Sequence, residues 1–189
     1  MNLTTRYKIC VSGAAETGHC SPTAFEQAKK LGEEIARRGI VLLTGATTGA
    51  PLWVAKASKE SGGLVIGISP AASQASHLRV YHLPLDYHDL VIYTGRGYSG
   101  RNLLLTRAAE AVITVCGRIG TLNEFTIAFE DEKPIGVLEK TGGTADEIKK
   151  IVKNAHRGPG KIVYESDPAK LLDGLMVLVK KEEKELKRF

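Results

Sequence analysis

Short, continuous apolar runs that end at glycine or hydroxyl residues recur along this chain, and each is followed by a stretch with helical spacing of apolar positions. The runs are Tyr7–Val11, Ile40–Leu43, Leu64–Ile68, Leu90–Tyr93, Ala111–Cys116, Pro134–Leu138 and Ile162–Tyr164. Apolarity without polar alternation describes strands that are covered on both faces. Helices are expected from Ser21-Pro22 to about Arg38, then at Pro51–Ser61, Ala71–His77, Gly100–Ala109, Leu122–Glu130, Asp146–Asn154 and Pro168–Lys187. In the first of these Ser21 is a candidate cap, Ala24, Ala28, Leu31 and Ile35 form the buried stripe, and Gly39 is the stop. Strands alternating with amphipathic helices predict a doubly wound α/β domain with a mostly parallel sheet flanked by helices. At 189 residues, 1–189 reads as one such domain.

Charge and cysteine usage narrow the function classes. The net charge is +5, of which the last ten residues, KKEEKELKRF, hold five basic and three acidic side chains, leaving about +3 for the rest. Basic residues are scattered along helices and not interleaved with aromatics, so nucleic acid is not the expected partner. No apolar run is long enough for a bilayer span, and MNLTTRYKIC lacks the apolar centre of a signal peptide, so a cytoplasmic protein without a membrane partner is expected. Cys10, Cys20 and Cys116 are odd in number and have no C-x-x-C spacing; neither a disulfide nor a metal site is expected, and a reducing compartment fits. In the tail, Glu183 and Lys187 have the spacing of a solvated helical ion pair. Leu171, Leu172, Leu175 and Met176 form a stripe suited to core or to a subunit contact.

In a doubly wound fold, ligands sit outside the carboxyl ends of the strands, where the N–H groups of helix starts point at an anion. Four loops therefore carry the candidates. The first, Ser12-Gly13-Ala14-Ala15-Glu16-Thr17-Gly18, lacks the G-x-G-x-x-G spacing of dinucleotide sites; Gly13 serves either a phosphate nest or a tight turn. The second holds Gly45, Thr47, Thr48 and Gly49, whose hydroxyls and amides can hold a phosphate or sugar, but no G-K-[ST] follows and a P-loop is excluded. In the third, Thr94–Asn102, Arg101 is expected in the first turn of a helix, where a cation is disfavoured unless an anion is near; Arg96 reads as plain surface.

The fourth loop is Cys116-Gly117-Arg118-Ile119-Gly120-Thr121-Leu122-Asn123-Glu124. Gly117 and Gly120 permit close approach of a ligand, and a helix starting near Thr121 offers free amides. Glu124 is either the partner of Thr121 in a capping box or a carboxylate facing a sugar or base. Cys116 reads as a small core side chain with no evident base beside it. Tyr81, His82, Asp86, Tyr87, His88 and Asp89 read as a structural loop, with a base pocket as the other reading.

These residues resemble the LOG family of cytokinin-activating phosphoribohydrolases, once widely labelled lysine decarboxylases, and the wider set of LOG-like Rossmann nucleotide-binding proteins. The likeness spans about Tyr7–Leu138 and is carried by Arg101-Asn102 and by CGRIGTLNE, which stand where the family has Arg-Lys and P-G-G-x-G-T-x-x-E. The resemblance implies that Arg101 and Glu124 are the catalytic pair of an N-glycosidase acting on a purine-type nucleoside 5′-monophosphate. Gly117, Gly120 and Thr121 would hold the phosphate, helped by Gly45, Thr47, Thr48 and Gly49, and no cofactor would be required. It also implies a homodimer or a larger homo-oligomer. Two departures stand out: Cys116-Gly117-Arg118 replaces Pro-Gly-Gly, and TGATTGAPL replaces a glycine-rich loop. Arg118 can bind a phosphate, fill its subsite, or select a ligand with more negative charge. Some LOG-like relatives carry molybdenum cofactor without turnover, so the alternative is a carrier of a bound nucleotide or phosphorylated cofactor. No lysine signature for pyridoxal phosphate supports the decarboxylase label.

Overall fold

Apolar runs of this kind cannot leave either face in water, and all seven become strands of one sheet in the computed structural model, which describes residues 6–186. They are β1 (Lys8–Gly13), β2 (Val41–Thr44), β3 (Val65–Ser69), β4 (Leu90–Tyr93), β5 (Ala111–Val115), β6 (Ile135–Leu138) and β7 (Ile162–Glu165). Every neighbouring pair is parallel, in the order β4-β3-β2-β1-β5-β6-β7. The chain thus builds outward from β1 to the edge at β4, then returns to place β5 on the other side of β1. This Rossmann-like reversal puts a crevice at the carboxyl ends of β1 and β5.

The helices are α1 (Ala24–Arg37), α2 (Ala50–Glu60), α3 (Gln74–Arg79), α4 (Gly97–Arg107), α5 (Ile119–Glu130), α6 (Gly143–Ala155) and α7 (Pro168–Leu186). Successive strand residues point to opposite faces, so the core divides in two. Ile9, Val11, Leu42 and Ile113 pack with Leu31 and Ile35 of α1, Val54 of α2 and Leu171 and Leu175 of α7. Cys10, Leu43 and Val112 pack on the other face with Leu105 of α4, Phe125 of α5 and Ile148 of α6. Leu171, Leu172 and Leu175 are therefore core.

Several helix starts differ from expectation. Ser21 does not cap α1: the helix begins at Ala24, and the Ser21 hydroxyl donates to the Lys140 carbonyl at 2.6 Å. The short α3 is displaced toward Arg79, with Ser73 accepting from the Ser76 amide. Helix α4 begins at Gly97, not Gly100, which moves Arg101 out of the first turn and into the second. Helix α5 begins at Ile119, not near Thr121. At the other end Glu183 accepts from the Tyr7 hydroxyl, tying α7 to the approach to β1, while Lys187 lies outside the described residues.

Candidate functional site

The crevice between β1 and β5 holds a cleft of about 430 Å³, within the range of small-molecule pockets. Ser12 and Gly13 end β1 on its floor, Gly45 and Thr47 form one wall, Arg101 and Asn102 reach in from α4, and Arg118, Gly120, Thr121 and Glu124 come from α5 and its approach. Helix α4 can deliver Arg101 here because it crosses back from the edge strand to β5 and packs against α5.

Arg101 and Glu124 lie together at the bottom, 5% and 6% exposed. Their closest approach, Nη1 to Oε1, is 3.8 Å, an ion pair without a hydrogen bond. The Glu124 carboxylate is instead held by the Ser12 hydroxyl, which donates to Oε2. Asn102 lies 2.8 Å from Oε1, and the amide orientation in which Nδ2 donates to Glu124 and to the Tyr98 carbonyl also requires the Asn123 amide, 2.9 Å away, to turn so that its nitrogen donates to Asn102 Oδ1. Burial pushes the Glu124 carboxyl above its ordinary value, opposed by Arg101 and by the Ser12 hydrogen bond. The capping reading fails: Thr121 Oγ1 accepts from the Arg118 amide at 3.4 Å, and Glu124 turns into the cleft.

The guanidinium is less well satisfied than the carboxylate. Arg101 Nε is buried without a hydrogen-bond partner. A buried cation in that state is costly unless an anion approaches it. Beside it, Ile119, Gly120 and Thr121 form the first turn of α5, whose amides have no carbonyl within the helix to bind. A guanidinium and a helix N-terminus facing one cleft are groups with the chemistry to receive an anion. Arg118 stands at the rim, exposed and paired with Glu16 at 2.6 Å, so it neither fills the anion subsite nor is fixed in it.

Three expected ligand residues do not line the cleft. Thr48 is exposed and its hydroxyl donates to the Ala15 carbonyl at 3.0 Å. Gly49, at φ 72°, is packed so that a Cβ would come within 2.2 Å of the Ala14 carbonyl oxygen. Gly117, at φ 119°, passes under Thr121 and Thr144, where a Cβ would lie 2.6 Å from Thr144 Oγ1. These residues brace the loops that carry the site. Gly45 lines the cleft, and a Cβ on it would fall 1.7 Å from Arg101 Nη1, so its lack of a side chain is what seats the guanidinium. Gly13 is close-packed too, with a Cβ position 2.8 Å from the Val115 carbonyl oxygen. The loop at Tyr81–Asp89 stays out of the cleft: His88 Nε2 meets Thr44 Oγ1 at 2.8 Å, and Asp89 accepts from the Val65 amide at 2.9 Å.

Sequence reasoning missed Ser12, Asn102 and Tyr98 as site residues. All three lie in the loops singled out, but nothing in their spacing says that they converge on Glu124. The cysteine expectation is overturned: Cys20 and Cys116 form a disulfide across 96 positions. The loop after β1 and the loop after β5 leave neighbouring strands at the same end, which brings the two sulfurs together. Cys116 also has an imidazole beside it, with His19 Nε2 3.5 Å from Sγ.

Known proteins share this architecture. A protein of Archaeoglobus fulgidus described only as uncharacterized is 33% identical over 132 residues, 70% of this chain and 82% of the relative. The molybdenum cofactor binding protein of Rippkaea orientalis is 27% identical, with 94% of this chain and 98% of that one covered at a TM-score of 0.71. The molybdenum cofactor carrier protein of Chlamydomonas reinhardtii is 26% identical, with 93% and 99% covered at a TM-score of 0.75. The profile of the SLOG cluster4 family matches residues 6–172, and the chain belongs to that family.

Proposed function

We propose that this protein binds a phosphorylated, nucleotide-like cofactor of the molybdopterin type and holds it without turnover. The observation that carries this reading is the Arg101 guanidinium, which lines the cleft together with Gly120 and Thr121 of the first turn of α5 and meets Glu124 only as an ion pair at 3.8 Å, without a hydrogen bond. It fits the phosphate of such a cofactor, which would pair with the guanidinium from the cleft side and occupy the free amides of Gly120 and Thr121. The likeness to molybdenum cofactor carrier and binding proteins supports the same ligand class. Tyr98, half exposed at the cleft wall and edge-on to Tyr81 at 5.5 Å, offers an aromatic face to a flat heterocycle. The cofactor supplies whatever redox chemistry follows its delivery; the residues here bind and orient it.

A second reading, hydrolysis of a nucleoside 5′-monophosphate in the manner of the LOG family, is favoured by one observation: Glu124 and Arg101 face the same cleft. An acid–base or oxocarbenium-stabilising carboxylate needs a free oxygen toward the substrate. Each oxygen of Glu124 already accepts one hydrogen bond, from Ser12 on one side and Asn102 on the other, which fixes the carboxylate in place and leaves one lone pair on each oxygen for a ligand. Exposed Leu90 and Ile92 on the edge strand and Leu103 and Leu104 on α4 support a homo-oligomer.

Purification from a molybdopterin-producing host, followed by mass spectrometry of the released ligand, tests the carrier reading; incubation with a panel of nucleoside monophosphates tests the other. A phosphorylated pterin bound in stoichiometric amount, with no base released from any monophosphate, is expected. Base release that disappears in Glu124→Ala would establish the hydrolase instead.

A further inference from the structure

Beside the cleft, and sharing no lining residue with it, His19, Cys20 and Cys116 bring one nitrogen and two sulfurs within 4.8 Å of one another. We propose that these three residues form a two-state site: a disulfide when oxidised and, when reduced, a site for one borderline-soft divalent cation of the zinc class.

The backbone holds the donors close independently of the bond between them. Cys116, at φ 53°, has its amide donating to Thr141 Oγ1 at 2.8 Å and its carbonyl accepting from the Ala145 amide at 2.8 Å. Cys20 forms an antiparallel bridge with Gly142, and the Ser21 amide donates to the Thr141 carbonyl at 3.0 Å. Both cysteines are thus pinned to the same segment between β6 and α6, with their Cα atoms 5.6 Å apart. Two sulfurs on one tetrahedral zinc lie about 3.8 Å apart at Zn–S distances of about 2.3 Å. Side-chain rotation from a fixed backbone covers that change. Two thiolates and an imidazole are the donors that select such a cation over calcium or magnesium. Three protein donors leave one position of a tetrahedral zinc for water, and the exposed His19 puts the cluster at the protein surface.

The two states are mutually exclusive and the chemistry balances. A dithiol reductant gives two electrons and two protons; the Cys20–Cys116 bond breaks to two thiols and the donor closes its own disulfide. The cation then displaces both thiol protons to solvent, forming two metal–sulfur bonds and one bond to neutral His19, with water in the open position. His19 Nε2 now lies 3.1 Å from the Gly117 carbonyl oxygen, so ligation through Nε2 gives up that contact and leaves the carbonyl with the Thr144 amide, which donates to it at 3.0 Å.

The test reduces the whole protein with a water-soluble phosphine, which leaves as its oxide, and removes it anaerobically. Zinc is then titrated in competition with a chromophoric chelator, and cobalt(II) is titrated in parallel. The reduced protein is expected to take one zinc per chain and to show cobalt–thiolate charge-transfer bands, while the oxidised protein does neither. His19→Ala, on an exposed position that does not threaten the fold, and Cys20→Ser should each weaken zinc binding by at least about tenfold, the smallest effect of disturbing even indirect contacts to a metal ligand. Equal uptake in both redox states, no stoichiometric uptake on reduction, or unchanged affinity in either variant overturns the proposal. Zinc binding requires no anion in the cleft, so the result is independent of the carrier reading.

Discussion

Glu124 sits where burial disfavours its anion, and the site's charge follows from that. Its carboxyl is pushed above the ordinary glutamate value of about 4.3, with desolvation outweighing Arg101 and Ser12. Below the ordinary value, folded and unfolded chains both carry the proton. As pH rises from there through the higher native pKa, the unfolded chain loses the proton first, so stability falls across this window and the loss persists above it. Glu124→Gln cannot titrate. Urea midpoints measured against pH should show the glutamine variant gaining relative to the unchanged protein through the weakly acidic range; a constant offset would contradict the assignment. In the same window protonation leaves the Arg101 charge unbalanced, so anion affinity should rise as pH falls. Arg118 plays a smaller part. Its pair with Glu16 is exposed on both sides, and pairs of that kind contribute about 0–1 kcal/mol, so the side chain can swing to a ligand at little cost.

The loops divide into those that seat the ligand-binding groups and those that brace them, and two glycines separate the roles. Gly45→Ala puts a methyl against the far end of a flexible side chain, Arg101 Nη1. It is expected to displace the guanidinium and weaken anion binding at least about tenfold, as loss of a charged hydrogen bond of about 1.5–3 kcal/mol implies, with little change in melting temperature. Gly49→Ala meets the backbone carbonyls of Ala14 and Ala15 at a positive φ, and is expected to destabilise the fold by more than about 1 kcal/mol. Thermal melts and phosphate titrations on both variants check this; a Gly45→Ala that binds normally would contradict the seating role. Strands were legible because their residues are apolar on both faces, as Leu42 and Leu43 show by entering opposite cores. The start of α4 was not. Gly97 and Gly100 argue against helix by propensity, yet Gly97 leads into α4 through a left-handed turn at φ 63° and Gly100 lies within the helix, which packs back onto α5. Misplacing that start made the first-turn argument for Arg101 fail, although the residue itself lies in the cleft.

At the scale of the molecule, strand order decides what the site contains, and strand order is the least legible part of the sequence. Ser12 and Glu124 are 112 positions apart and Cys20 and Cys116 are 96 apart; both pairs meet because β1 and β5 are neighbours. An odd cysteine count concealed the pairing, since Cys10 lies free and buried on the strand itself. A cross-link closing so long a loop stabilises by up to about 4.7 kcal/mol through the unfolded chain's lost entropy. Reduction in a chelating buffer should therefore lower the unfolding midpoint, and an unchanged midpoint would contradict the cross-link. The central claim, that Arg101 and the first turn of α5 form an anion site, is tested most directly by calorimetric titration of ligand-free protein with a nucleoside 5′-monophosphate and with the same nucleoside lacking phosphate. The monophosphate should bind at least about tenfold more tightly, as a charge-assisted contact implies, and Arg101→Met should reduce the difference to what the amides of α5 supply alone. Equal affinity for the two compounds, or a difference that is undiminished in Arg101→Met, would contradict the account.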